Sequence, residues 1–290
     1  MIKGSIVALS TPFKEDGVNL KTLKELIEFH NRSGTDAILV LGTTGESPTL
    51  NEKEKDEIIS KTLEYSKVPV IVGTGTNSTE KTIKETKRAK ELGAEFVLVI
   101  TPYYNKPNQE GLYHHFLKVA ESCDVKIIIY NVPSRTGVSI KPETIAELSK
   151  IKNIIGIKEA SGDLKGMMKI IFYAEKDFVL LSGDDFITLP VMCIGGKGVI
   201  SVTANIIPER VKKFVDLLLK GDLSSAISMN QEIVEVSDAL FIDTNPIPVK
   251  AALNMMGFDM GKPRLPLTEL SSDNKEKLKK VLLKYKILKG

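Results

Sequence analysis

Eight short runs of apolar residues punctuate the chain, at Ser5–Leu9, Ala37–Leu41, Pro69–Gly73, Phe96–Ile100, Lys126–Tyr130, Ile154–Lys158, Phe178–Leu181 and Gly198–Val202. They are rich in Ile and Val with little polar alternation, the pattern of parallel strands covered on both faces. The segments between them carry apolar residues at helical spacing. Leu20–Ser33 places Leu23, Leu26, Ile27 and His30 on one face and ends at Gly34. Asn51–Tyr65 opens on an Asn cap with Glu54 three residues later and carries Ile58, Ile59 and Leu63. Ser78–Leu92 follows the same plan and stops at Gly93.

Eight successive βα units, joined by right-handed crossovers, predict an α/β fold: a closed (β/α)8 TIM barrel over residues 1–220. After the eighth strand the pattern turns wholly helical, at Pro208–Leu219, Leu223–Phe241, Pro246–Met256 and Leu270–Leu288. Residues 221–290 are therefore expected to form a C-terminal helical extension. An open doubly wound sheet is the competing architecture. It is disfavoured because Gly73-Thr74-Gly75 lacks the third glycine of a dinucleotide loop, and Gly42-Thr43-Thr44-Gly45-Glu46-Ser47 lacks a phosphate-loop lysine.

Composition narrows the function. The chain of 290 residues is 42% hydrophobic and 27% charged, enough to bury a large core. A net charge of +3, with basic and acidic residues interleaved, gives no nucleic-acid or membrane footprint. The lysine-rich stretch Lys275–Lys289 interleaves its charges with Val281, Leu282, Leu283, Tyr285 and Leu288, as a docked surface helix would. Only Cys123 and Cys193 are present, which leaves no disulfide scaffold and favours a reducing compartment, the cytoplasm. The apolar run within Met1–Phe13 is too short for a signal peptide. His30, His114 and His115 have no accompanying metal motif, so neither a metal nor another cofactor is expected.

Against this background Lys158 stands out, a cation inside the apolar run Ile154–Ser161. Burial without a partner disfavours an ammonium and leaves a free amine, a nucleophile toward ketones. The ordinary alternative places it at the strand's wet end or pairs it with Glu159 or an acid on a neighbouring strand. Reactive residues of a barrel gather at the C-terminal ends of its strands. The other unusual segments, Gly42–Ser47, Thr101–Asn105 and Tyr130–Gly137, fall at those ends together with Lys158.

These segments, with Ser5–Pro12 and Asn245-Pro246-Ile247-Pro248-Val249-Lys250, make the chain similar to the dihydrodipicolinate synthase family of class I aldolases over almost its whole length. The resemblance implies a pyruvate Schiff base on Lys158, with Tyr130, Thr43 and Tyr104 forming a hydroxyl relay. It implies that Thr44 holds the pyruvate carboxylate, Arg135 the carboxylate of L-aspartate 4-semialdehyde, and that Ile200 and Gly183 line the site. Arg135 separates this activity from the sugar-acid lyases of the superfamily, such as N-acetylneuraminate lyase. Tyr104 in relatives reaches into a neighbouring subunit, and a homotetramer built from two dimers is expected. Another 2-keto-acid aldolase, or a barrel that binds a keto acid as a sensor without turnover, are the remaining alternatives. Where lysine-inhibited members carry an acidic residue and a histidine, this chain has Lys81 and Lys55, which implies weak or absent inhibition by lysine.

Overall fold

The computed structural model describes residues 2–288; Met1, Lys289 and Gly290, at the ends of two stretches considered above, lie outside the described residues. The strands are β1 (Gly4–Ala8), β2 (Phe13–Lys14), β3 (Gly17–Val18), β4 (Ala37–Val40), β5 (Val70–Gly73), β6 (Phe96–Ile100), β7 (Lys126–Asn131), β8 (Ile154–Glu159), β9 (Val179–Ser182) and β10 (Gly198–Ser201). Hydrogen bonding in the order β1-β10-β9-β8-β7-β6-β5-β4 closes the parallel barrel that the apolar runs predict. In sequence the helices are α1 (Leu20–Arg32), α2 (Glu52–Tyr65), α3 (Thr79–Glu91), α4 (Gln109–Ser122), α5 (Pro133–Thr136), α6 (Pro142–Ser149), α7 (Leu164–Tyr173), α8 (Thr188–Cys193), α9 (Pro208–Lys220), α10 (Leu223–Leu240), α11 (Ile247–Met255) and α12 (Ser272–Lys284). The last three form the C-terminal helical part.

Residues 71–200 form one compact unit, and residues 4–70 with 201–288 a second. In the first, β6 and β7 run in unbroken register from Phe96↔Lys126 to Ile100↔Tyr130. β7 and β8 continue it to Tyr130↔Lys158 and Asn131↔Glu159 after one irregularity near Ile127. Within β7 every residue except Lys126 is buried, which accounts for its unalternating Ile-Ile-Ile run. In the second unit β1 pairs with β4, and Ile6, Leu23, Leu26 and Ile27 are fully buried.

Local sequence sets the helix starts. Asn51 and Glu54 complete a reciprocal capping box at α2, and Ser78, Asn108 and Asp163 accept from backbone N–H groups at α3, α4 and α7. Each such cap is worth about 1 kcal/mol. The predicted helix Leu270–Leu288 is shorter than expected. Ser271 caps it through the Asn274 N–H, and Lys286, at φ 54°, turns the chain out of the helix so that the Ile287 and Leu288 N–H groups return to the Leu282 carbonyl. The hairpin of β2 and β3 is an addition to the predicted elements, since two-residue strands leave no periodicity to read.

Candidate active site

Side chains alternate along a strand, so residues opposite one another in register share a face. Tyr130 and Lys158 therefore lie on one face of the β7–β8 pair, Asn131 and Glu159 on the other. Lys158 Nζ sits 4.2 Å from the centre of the Tyr130 ring, and both residues are buried. Glu159 is not its counter-ion. Its carboxylate accepts the Asn131 amide at 3.1 and 2.9 Å and the Ser161 N–H at 2.8 Å, while burial pushes its pKa up against those hydrogen bonds. Asn131 in turn accepts the Ile140 N–H through Oδ1. This outward-facing pair ties β7 to β8 and thereby fixes the register that sets Tyr130 against Lys158. Among the described residues no carboxylate forms an ion pair with Lys158.

Gly183, just past β9, gives Lys158 its room. A Cβ there would stand 3.0 Å from Lys158 Cγ, 3.1 Å from Cε and 2.8 Å from the Ala160 Cβ. The Gly183 N–H donates to the Glu159 carbonyl at 2.8 Å, so the backbone cannot easily back away. Gly183→Ala should displace the lysine and lower kcat by roughly 10- to 100-fold with folding intact; steady-state rates beside a thermal melt check this, and a wild-type kcat would contradict it.

Ile200 is buried on β10. Arg135 is exposed on the single-turn helix α5, which Thr136 Oγ1 braces by donating to the Val132 and Val138 carbonyls and which Gly137 closes at φ 72°. Tyr104 does not join the buried pair. It is 89% exposed and held at φ 70°, a left-handed conformation that costs a non-glycine residue about 1–3 kcal/mol.

Thr43 and Thr44 belong to the other compact unit, in the loop between β4 and α2. Thr43 is half-buried, its carbonyl accepting the Glu46 N–H. Thr44 is 3% exposed, and its Oγ1 accepts the Asn245 amide at 3.1 Å. Sequence reading missed two partners of this loop. Lys250 Nζ donates to Glu46 Oε1 at 2.6 Å with both side chains only 1% exposed, and the Arg264 N–H donates to Glu46 Oε2. Burial pulls Lys250 down to about 8 against the pull of Glu46. The signal was available in Ile247-Pro248-Val249-Lys250-Ala251-Ala252-Leu253, where a cation again interrupts an apolar run.

Two of the three histidines, His30 and His115, are buried in the core. Burial lowers His30 to about 3 and His115 to about 4, so both stay neutral in the core, where Nδ1 of each lies beside the hydroxyl of Thr35 or Thr79. Among the described residues no His, Cys, Asp and Glu side chains gather as a metal site would require.

A buried lysine without an acidic partner among the described residues, backed by a phenol on the adjacent strand of a (β/α)8 barrel, defines a site suited to imine-forming chemistry. The chain matches the Dihydrodipicolinate synthetase family over residues 1–285. A 4-hydroxy-tetrahydrodipicolinate synthase of Syntrophus aciditrophicus is 51% identical over 290 residues, covering 99% of this chain and all of that protein. Dihydrodipicolinate synthase from Aquifex aeolicus superimposes with a TM-score of 0.97 at 47% identity, each chain covered completely. A chloride-inhibited dihydrodipicolinate synthase of Acinetobacter baumannii complexed with pyruvate matches at 0.96 and 42% identity, covering 99% of this chain and 100% of that one. This chain belongs to the dihydrodipicolinate synthetase family.

Proposed function

We propose that this chain condenses pyruvate with L-aspartate 4-semialdehyde through a Schiff base on Lys158 to give 4-hydroxy-tetrahydrodipicolinate, an early step of lysine and diaminopimelate biosynthesis. The observation that carries the reading is the buried Lys158–Tyr130 pair in a chain about half identical to such synthases over its full length. Lys158 Nζ attacks C2 of pyruvate and water leaves, giving an iminium. That cation draws electrons from C3, whose proton departs to form an enamine. C3 then bonds to the aldehyde carbon of the second substrate, whose oxygen takes up a proton. The amino group of that substrate attacks C2 and displaces Lys158 as a free amine, closing the ring.

Tyr130, whose ring centre lies 4.2 Å from the nitrogen, serves as proton donor and acceptor, and family resemblance extends it through Thr43 to Tyr104. Thr44 and the N–H groups of its loop serve the pyruvate carboxylate. Arg135 takes the second carboxylate as a bidentate partner, and Ile200 and Gly183 line the pocket. Comparing turnover of L-aspartate 4-semialdehyde with that of N-acetylneuraminate and 2-keto-3-deoxy sugar acids tests the substrate assignment. Preference for a sugar acid would overturn it.

Family resemblance has Tyr104 complete a neighbouring subunit's site, and its exposure and left-handed backbone support that reading. Met168, Phe172 and Tyr173 of α7, also exposed, offer an apolar face to a second contact, as a homotetramer requires. A biosynthetic role suits a cytoplasmic protein, and no helix among the described residues is long and apolar enough to cross a membrane.

Lysine regulation separates this chain from inhibited relatives. Lys81 is exposed near the start of α3, and an ammonium there repels the cationic side chain of a lysine ligand. Low-millimolar L-lysine should inhibit weakly or not at all, and half-inhibition in that range would contradict the assignment.

A further inference from the structure

The segment from Asn245 to Arg264 touches the Thr43–Thr44 loop at several points, and its residues have so far no part in the chemistry. Asn245 donates to Thr44 Oγ1 at 3.1 Å. Five residues on, in α11, Lys250 donates to Glu46, two residues past Thr44. Glu46 stands at φ 54°, and Leu41 at the other end of the loop at φ 56°, so the loop is held between two left-handed residues that carry side chains. Its turns close through Gly45 N–H to the Gly42 carbonyl and Glu46 N–H to the Thr43 carbonyl, and Thr11 Oγ1 donates to the Gly45 carbonyl.

The ion pair sits in an enclosed setting. Lys250 Nζ lies 3.9 Å from the centre of the Phe13 ring, and the Arg264 guanidinium 4.2 Å from it. Arg264 donates to the Thr49 carbonyl and to both oxygens of Glu54, the α2 capping residue. Buried ion pairs seldom add stability over well-packed apolar side chains, so a pair this enclosed calls for another role.

We infer that Asn245 and Lys250 are positioning residues for pyruvate, acting through the Thr43–Thr44 loop. By donating its amide to Thr44 Oγ1, Asn245 occupies an acceptor site of that hydroxyl and leaves its proton for an incoming carboxylate. Lys250 holds Glu46, and with it the turn that positions Thr43 and Thr44. The inference rests on the reading of Thr44 as a donor to the pyruvate carboxylate, and it predicts selectivity. Both residues act on the 2-oxo acid and leave affinity for the aldehyde substrate alone.

Kinetics and borohydride trapping at varied pyruvate concentration test this. Asn245→Asp replaces the donor with an acceptor that claims the Thr44 proton and repels a carboxylate. It should raise the pyruvate concentration for half-maximal trapping by roughly tenfold or more, and above that of Asn245→Ala, with KM for the aldehyde within about twofold. Asn245→Ala combined with Thr44→Val should be little worse than Thr44→Val alone. Lys250→Met strands the Glu46 carboxylate and should lower Tm. Glu46→Gln with Lys250→Met removes both charges, and should recover Tm while keeping a raised pyruvate requirement. Wild-type pyruvate dependence in folded Asn245→Asp, multiplicative effects of Asn245→Ala and Thr44→Val, or full recovery in the charge-free double variant would overturn the inference. An untrapped wild-type protein would instead overturn the Schiff-base reading, so the two failures are distinct.

Discussion

Lys158→Ala lowers kcat by at least roughly 10⁴-fold and leaves the fold standing, because the covalent route to the enamine disappears with the amine. Lys158 has no ion-pair partner among the described residues, so its removal strands no opposite charge. What it leaves is a gap beside the Tyr130 ring and Gly183. A melting temperature within several degrees of wild type is expected, measured by circular dichroism. Lys158→Arg sharpens the point. A guanidinium supplies a positive charge but is no nucleophile at any working pH, so this variant is as inactive as alanine if imine formation is the role. Recovery of activity by arginine would mean that Lys158 acts as a cation only.

Tyr130→Phe should lower kcat by roughly 10²- to 10⁴-fold, the range of a positioned general acid–base group, with little change in KM for pyruvate. The ring beneath the Lys158 nitrogen remains, so packing and the register of Tyr130 against Lys158 are undisturbed. Only the hydroxyl is lost. Stopped trapping at timed intervals should show the pyruvyl adduct forming slowly yet reaching the same extent, because the phenol speeds proton transfer without contributing to the adduct's stability. A wild-type rate would assign the proton transfers to another group. Absence of any adduct at long times would make Tyr130 part of the binding surface rather than the proton path.

Most of this architecture is legible in the chain because its signals are local. A parallel strand covered on both faces must be apolar throughout, so Phe96–Ile100 is found as it stands and the other strand ends fall within one residue of the expected runs. Asn51 with Glu54 writes the start of α2 directly. The site divides along the same line. Lys158 announces itself by polarity, and Tyr130 by lying at the end of the preceding apolar run. That Glu159 faces away from Lys158 follows from alternation, although its bond to Asn131 had to await the register. The partnership of Glu46 with Lys250 spans 204 positions, and that of Thr44 with Asn245 spans 201, distances over which no periodicity carries information. Backbone conformation is equally silent: nothing in Thr101-Pro102-Tyr103-Tyr104-Asn105 declares that Tyr104 is left-handed and exposed.

The decisive measurement is peptide-mapped mass spectrometry after incubation with pyruvate and borohydride, on the wild-type protein and on Lys158→Ala. A reduced pyruvyl adduct on Lys158, missing from the variant, is the predicted result. An adduct on another lysine, or none on a wild-type protein that nonetheless turns over both substrates, would contradict the central claim.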